Sequence, residues 1–212
     1  MRFPNAYAGV KKIFTAEILG LIAVILLLVA AVMALVAKGG AEQGVDEAVV
    51  VGGIGAAALG LPALVLMVIT FILNIVGLNA GAKDEPKFRT ALTWVIIGIV
   101  ASVVSGLNVS WLQGACETLG NLANILITIY VVQAIVSLSE KKMDEGMKAK
   151  GKRLLTIILV VYALATIAQV LGDFVVTGKV GAILAVVALV LGIVQYVLYL
   201  SYLSKAKKML AA

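Results

Sequence analysis

The chain has 212 residues, 63% of them hydrophobic and only 13% charged. Soluble domains carry about 25% charged residues, so this chain cannot cover itself with polar side chains, and lipid is its expected solvent. It has no histidine and one cysteine, Cys116, which removes imidazole metal ligands, the commonest general base and any intrachain disulfide.

Six apolar runs reach the roughly 20 residues needed to cross a bilayer. They lie at about 15–37, 50–78, 90–109, 118–138, 154–176 and 180–203. The first has no strongly polar residue from Ile18 to Ala37. Lys11 and Lys12 look like the n-region of a signal peptide. The apolar run is too long for an h-region and no small-residue cleavage site follows, so a retained helix is predicted. Glu17 in its first turn complements the helix dipole.

The second run is longer than a membrane. Ala48 to Leu78 spans 31 residues, about 46 Å as a straight helix against a core of about 30 Å. Its first half, residues 51–62, is rich in glycine and ends in Pro62, a predicted kink. Either the helix tilts and projects, or the glycine-rich part is broken. Ala48, Gly52, Ala56 and Gly60 recur every four residues, a ridge of small side chains for helix packing or for a homo-oligomer seam.

The third, fourth and fifth spans carry the polar faces. Glu117, Asn121, Asn124 and Thr128 follow helical spacing on one face of the fourth. Tyr162, Thr166, Gln169 and Asp173 repeat that spacing on the fifth, and Ser102 and Ser105 of the third reach the same leaflet. These groups either hydrogen-bond between the fourth and fifth helices or line a polar vestibule open to the outside. Tyr199 and Tyr202 near the end of the sixth span are expected in an interfacial belt, and the charged stretch 139–153 reads as a solvated linker.

All basic residues except Lys38 and Lys179 lie before the first span, in the second and fourth loops, or after the sixth span. The positive-inside rule then places both termini in the cytoplasm, as an even number of spans requires. The net charge of +6 is therefore a topology signal, and anionic lipid headgroups, not nucleic acid, are its expected neighbours. The expected location is a plasma membrane, the cytoplasmic membrane of a bacterium.

The spans also repeat. Lys12-Ile-Phe-Thr15, Lys87-Phe-Arg-Thr90 and Arg153-Leu-Leu-Thr156 open the odd spans alike. Residues 75–85 align without gaps on 135–145, sharing Ile-Val-x-Leu and Asp-Glu, and Leu203-Ser204 matches Leu138-Ser139. Self-similarity at a fixed offset points to one unit reused, here hairpins at about 10–82, 86–145 and 150–208. In outline this is similar to mitochondrial carriers, but the Pro-x-Asp/Glu-x-x-Lys/Arg motif of that family is absent. The expected fold is thus an all-α integral membrane protein, a single domain of six transmembrane helices in three tandem hairpins.

No nucleophile motif, phosphate loop or metal-ligand cluster occurs, so no enzyme activity, cofactor or metal is expected. Two functions remain. The first in rank is a structural or accessory protein acting through contacts in the bilayer, with lipids, a second copy or another membrane protein as partners. The alternative is a transporter or channel for a small neutral or cationic solute, using a vestibule between the third, fourth and fifth helices.

Overall fold

The computed structural model describes residues 2–42, 46–106, 110–174 and 179–211, with side chains at all of these except 40, 46–48, 110–113, 168–174, 179–186, 188 and 189. Among the described residues the chain forms six α-helices. They are α1 (Pro4–Glu42), α2 (Asp46–Gly81), α3 (Lys87–Ser105), α4 (Ser110–Lys141), α5 (Glu145–Phe174) and α6 (Lys179–Ala211). Among these residues, four segments are long and apolar enough to cross a membrane: Pro4–Gly39, Val49–Gly81, Lys87–Ser105 and Gly114–Lys141. The chain divides into two compact units, one of residues 11–77 and one of residues 1–10 with 78–212.

The 11–77 unit is the α1–α2 pair. Gly20 lies against Thr70, Gly55 against Met33, and Gly52 against Ala37, so the two helices run antiparallel. On α1, the buried Ala16, Ala23 and Ala30 recur every seven residues and keep one face narrow. The glycine-rich half of α2 is helical throughout, and Pro62 sits inside the helix without ending it. The other faces are apolar and bare. Leu35 is 68% exposed and Ile54 66%, which only an apolar solvent would tolerate over such a length.

The small-residue ridge of α2 is not uniform. At Gly52 a Cβ would lie 2.7 Å from the backbone N of Ala37 and the backbone O of Met33. At Gly60 it would meet nothing within 4 Å, and Ala56 is half-buried. Ala48 lies outside the residues whose side chains are described. Gly52 alone among these positions marks a backbone-to-backbone approach.

In the other unit α3 packs on α4, α4 on α5 and α5 on α6. Helix α4 is its central post. Val131, Val132, Ala134, Ile135, Val136, Leu138 and Ser139 are each at most 8% exposed; they take roughly 200° of the helix circumference, and Gln133 and Ser137 on the remaining side are half-buried. One apolar position of each aligned motif is buried, Phe88 and Leu154 at span openings and Leu78, Leu138 and Leu203 at span closings, as is Ile13 in the 11–77 unit, while Val76 is 40% exposed where its counterpart Val136 is buried. Tyr199 and Tyr202 are also core residues, not the belt residues expected. The 139–153 stretch is mostly helix. Helix α4 ends at Lys141 and α5 starts at Glu145, with Met143 left-handed (φ 59°) in a turn closed by Asp144 N–H donating to Ser139 O.

Polar groups tie one end of this unit together. The Asp84 carboxylate accepts from the Ala6 backbone N–H (2.7 Å) and from Asn5 Nδ2 (2.9 Å), capping α1 from a loop far away in sequence. Asp144 accepts from Met147 N–H (2.9 Å) and caps its own helix, α5. Lys142 Nζ donates to Met209 O (2.7 Å) in the last turn of α6. Glu85, only 3% exposed, accepts from Lys141 Nζ (2.7 Å) and Ser137 Oγ (2.9 Å) on α4. The first residues of α1, both tight turns and the last turn of α6 therefore meet at one end.

Two outcomes test this packing by thermal unfolding in detergent. Gly52→Ala is expected to destabilise by about 1–3 kcal/mol, the usual cost of overpacking, whereas Gly60→Ala should be neutral or raise stability by up to about 1 kcal/mol through helix propensity. Lys141→Met is expected to cost about 2 kcal/mol, less than a fully buried pair would, because Lys141 is 42% exposed. Glu85→Gln should cost less than Lys141→Met, since it leaves no buried carboxylate without its cation.

Candidate functional site

The far end of α3, away from the tied termini, presents a different surface. Here Ser102 and Ser105 of α3 face Cys116, Glu117, Gly120, Asn121 and Asn124 of α4 around a cavity of about 460 Å³. Small-molecule sites usually span about 300–1,000 Å³ but are mostly apolar. This one is lined by hydroxyls, amides and a carboxylate, with no basic residue among them.

The sequence builds it simply. Residues 117, 121 and 124 keep to one face of α4, and residues 102 and 105 are one turn apart on α3. Helix α4 starts at Ser110, so Glu117 lies two turns inside it and is not the helix end that the apolar run marks. Close helix approach ends the cavity on its inner side. Ala101 and Ala123 are buried, and a Cβ on Gly98 would lie 3.4 Å from that of Ala123.

Hydrogen bonding leaves the amides available. Ser102 Oγ donates to Gly98 O (2.9 Å), turning its lone pairs outward. Asn121 and Asn124 are exposed, and their side chains make no hydrogen bond among the described residues. Bonds from these amides to α5 are thus absent there. Thr128 is half-buried, donates to Asn124 O (3.2 Å) and does not line the cavity. On α5, Thr166 donates to Tyr162 O (3.0 Å), and neither residue lines the cavity. Gln169 and Asp173 lie outside the residues whose side chains are described. Cys116 and Gly120 were not singled out by the polar pattern, yet with Asn124 they form a second rail spaced by four. Among the described residues no three acidic or cysteine side chains converge as a metal site.

The single cysteine is a native probe. In intact cells a membrane-impermeant thiol reagent added from outside is expected to label Cys116, and Cys116→Ser should abolish that labelling. On the Cys116→Ser background, Asn121→Cys and Asn124→Cys should react and Thr128→Cys should not. Unreactive cysteines at both 121 and 124 would mean that the cavity is closed to water.

No protein family, characterised protein or solved structure matches this chain, so its own residues carry the functional reading.

Proposed function

We propose that this chain is a non-enzymatic multi-pass membrane protein that admits a small neutral or cationic solute into a polar vestibule between α3 and α4. The observation that carries this reading is the cavity itself, lined by two amides whose side chains make no hydrogen bond among the described residues and by one carboxylate. Neutral hydroxyls and amides suit a hydrogen-bonding solute, and the Glu117 carboxylate adds an anionic acceptor to the lining. The sequence alone ranks an accessory role first; the cavity is the observation that favours the solute-binding reading.

The membrane setting is part of the same proposal. Six spans, both termini cytoplasmic and a bacterial plasma membrane agree with the basic loops. The link from Asn5 through Asp84 to the α2–α3 turn, and from Lys142 to Met209, supports termini on one side. Burial of one aligned apolar residue in each motif, Ile13, Phe88 and Leu154 at the openings and Leu78, Leu138 and Leu203 at the closings, supports three tandem hairpins.

One observation favours the accessory reading as a second choice. From Val131 to Leu138 most of α4 is buried and apolar, with only Gln133 and Ser137 polar and half-buried in that stretch, so among the described residues the polar lining does not continue unbroken past the vestibule. A transporter would have to open that half; an accessory protein would not.

Proteoliposome flux separates the two. With tetramethylammonium and glycerol as probes, the reconstituted chain is expected to raise the entry rate of at least one above that of protein-free vesicles. Glu117→Gln should slow the cation more than glycerol, and Asn121→Leu with Asn124→Leu should slow both. Rates equal to those of empty vesicles for both probes would turn the assignment to the accessory reading.

A further inference from the structure

A second cavity, of about 140 Å³, lies at the opposite end of the same unit, between α5 and α6. It has room for several waters, each occupying about 30 Å³ in the liquid. Its rim carries Lys150 and Arg153 of α5 and Lys205 of α6. Its floor is apolar, made by Leu154, Ile157 and Leu198.

The three cations differ from their neighbours. Lys141 is bonded to Glu85, Lys142 to Met209 O, and Lys148 pairs with Glu140 and Glu145. Lys150, Arg153 and Lys205 make no ion pair or side-chain hydrogen bond among the described residues. Three uncompensated charges around one small cavity repel one another unless an anion sits between them. A soluble anion would answer the charges and leave the apolar floor wet. An amphiphile satisfies both. Ile157 and Leu198 lie on the side of the cations that leads into the spans, where an acyl chain would run.

We propose that the groove between α5 and α6 holds the phosphate of an anionic phospholipid from the cytoplasmic leaflet, with Lys150, Arg153 and Lys205 on the phosphate and Ile157 and Leu198 under an acyl chain. Basic pockets between transmembrane helices on the cytoplasmic side are the usual receptors for such headgroups. The proposal rests on the membrane orientation proposed above and is independent of the solute vestibule.

The test uses the full chain in detergent micelles, with phosphatidylglycerol and phosphatidylcholine as probes and native mass spectrometry to count retained lipid. Wild-type protein is expected to retain phosphatidylglycerol in preference to phosphatidylcholine. The triple variant Lys150→Gln, Arg153→Gln, Lys205→Gln should bind phosphatidylglycerol roughly a hundredfold more weakly, about fivefold for each cation removed. The control triple Lys83→Gln, Lys87→Gln, Arg89→Gln should change it little. Ser201→Trp, which fills the groove without altering charge, should also release the lipid and guards against a triple variant that fails to fold. Equal losses in the two triples would reduce the effect to diffuse attraction and overturn the site. So would no preference between the two lipids, or displacement of phosphatidylglycerol by inorganic phosphate at matching concentration. Flotation with phosphatidylcholine vesicles keeps the two proposals apart. A chain that does not float refutes the membrane reading; one that floats without lipid preference refutes only the site.

Discussion

A carboxylate shut inside an apolar bundle sets the terms for this protein. Glu85 is almost fully buried and takes its two described partners, Ser137 and Lys141, from α4. An ionised carboxylate in that position is costly unless its partners are fixed. That requirement fixes the α2–α3 turn against the end of α4, and the adjacent Asp84 then reaches the first turn of α1. The turn after α4 repeats the device at the next connection, with Asp144 on α5 and Lys142 on α6. Each bond satisfies a group that a helix end would otherwise leave bare. Together they fix one end of the bundle by polar chemistry, which is directional, while the spans beyond it pack by shape alone.

This division explains why the two ends of the 1–10 and 78–212 unit differ. Where α4 is most buried, the side chains are mainly Val, Ile, Leu and Ala, and the serines among them are already bonded, Ser139 to Val136 O and Ser137 to Glu85. Toward the start of α4 the same helix changes to Glu, Asn and Thr, which cannot pack against apolar neighbours at no cost. Helices α3 and α4 touch at Gly98 and Ala123 and leave a polar space beyond that contact.

Much of this was legible in the sequence, because lipid imposes simple rules. Hydropathy and length gave the helices, and the serines and amides that line the cavity followed from helical spacing and matching depth. What escaped was of two kinds. Helix ends were misjudged wherever apolar character stopped before the helix did: Ser110 to Glu117 is helical but polar, and so is most of 139–153. Partner choice was also hidden. The aligned Asp-Glu pairs at 84–85 and 144–145 look equivalent, yet Asp84 caps a distant helix and Asp144 its own. Glu85 is buried, while Glu145 pairs with Lys148 near the surface. Periodicity reports which side of a helix a residue takes. It does not report which other helix arrives there.

The amides of α4 carry the last step. A hydrogen-bonding side chain held in hydrocarbon without a partner costs several kcal/mol, roughly 4–8 on a cyclohexane scale. Asn121 and Asn124 make no side-chain hydrogen bond among the described residues, so each needs a partner beyond these. Water or a polar solute in the cavity would supply one. The cavity has the volume for either, and a carboxylate stands in its lining. A chain that needed only to hold its helices together would do so at lower cost with leucine and alanine, as this one does a few turns further along α4. Keeping two amides and an acid on a face that α3 leaves open is consistent with a surface shaped for something that binds and leaves.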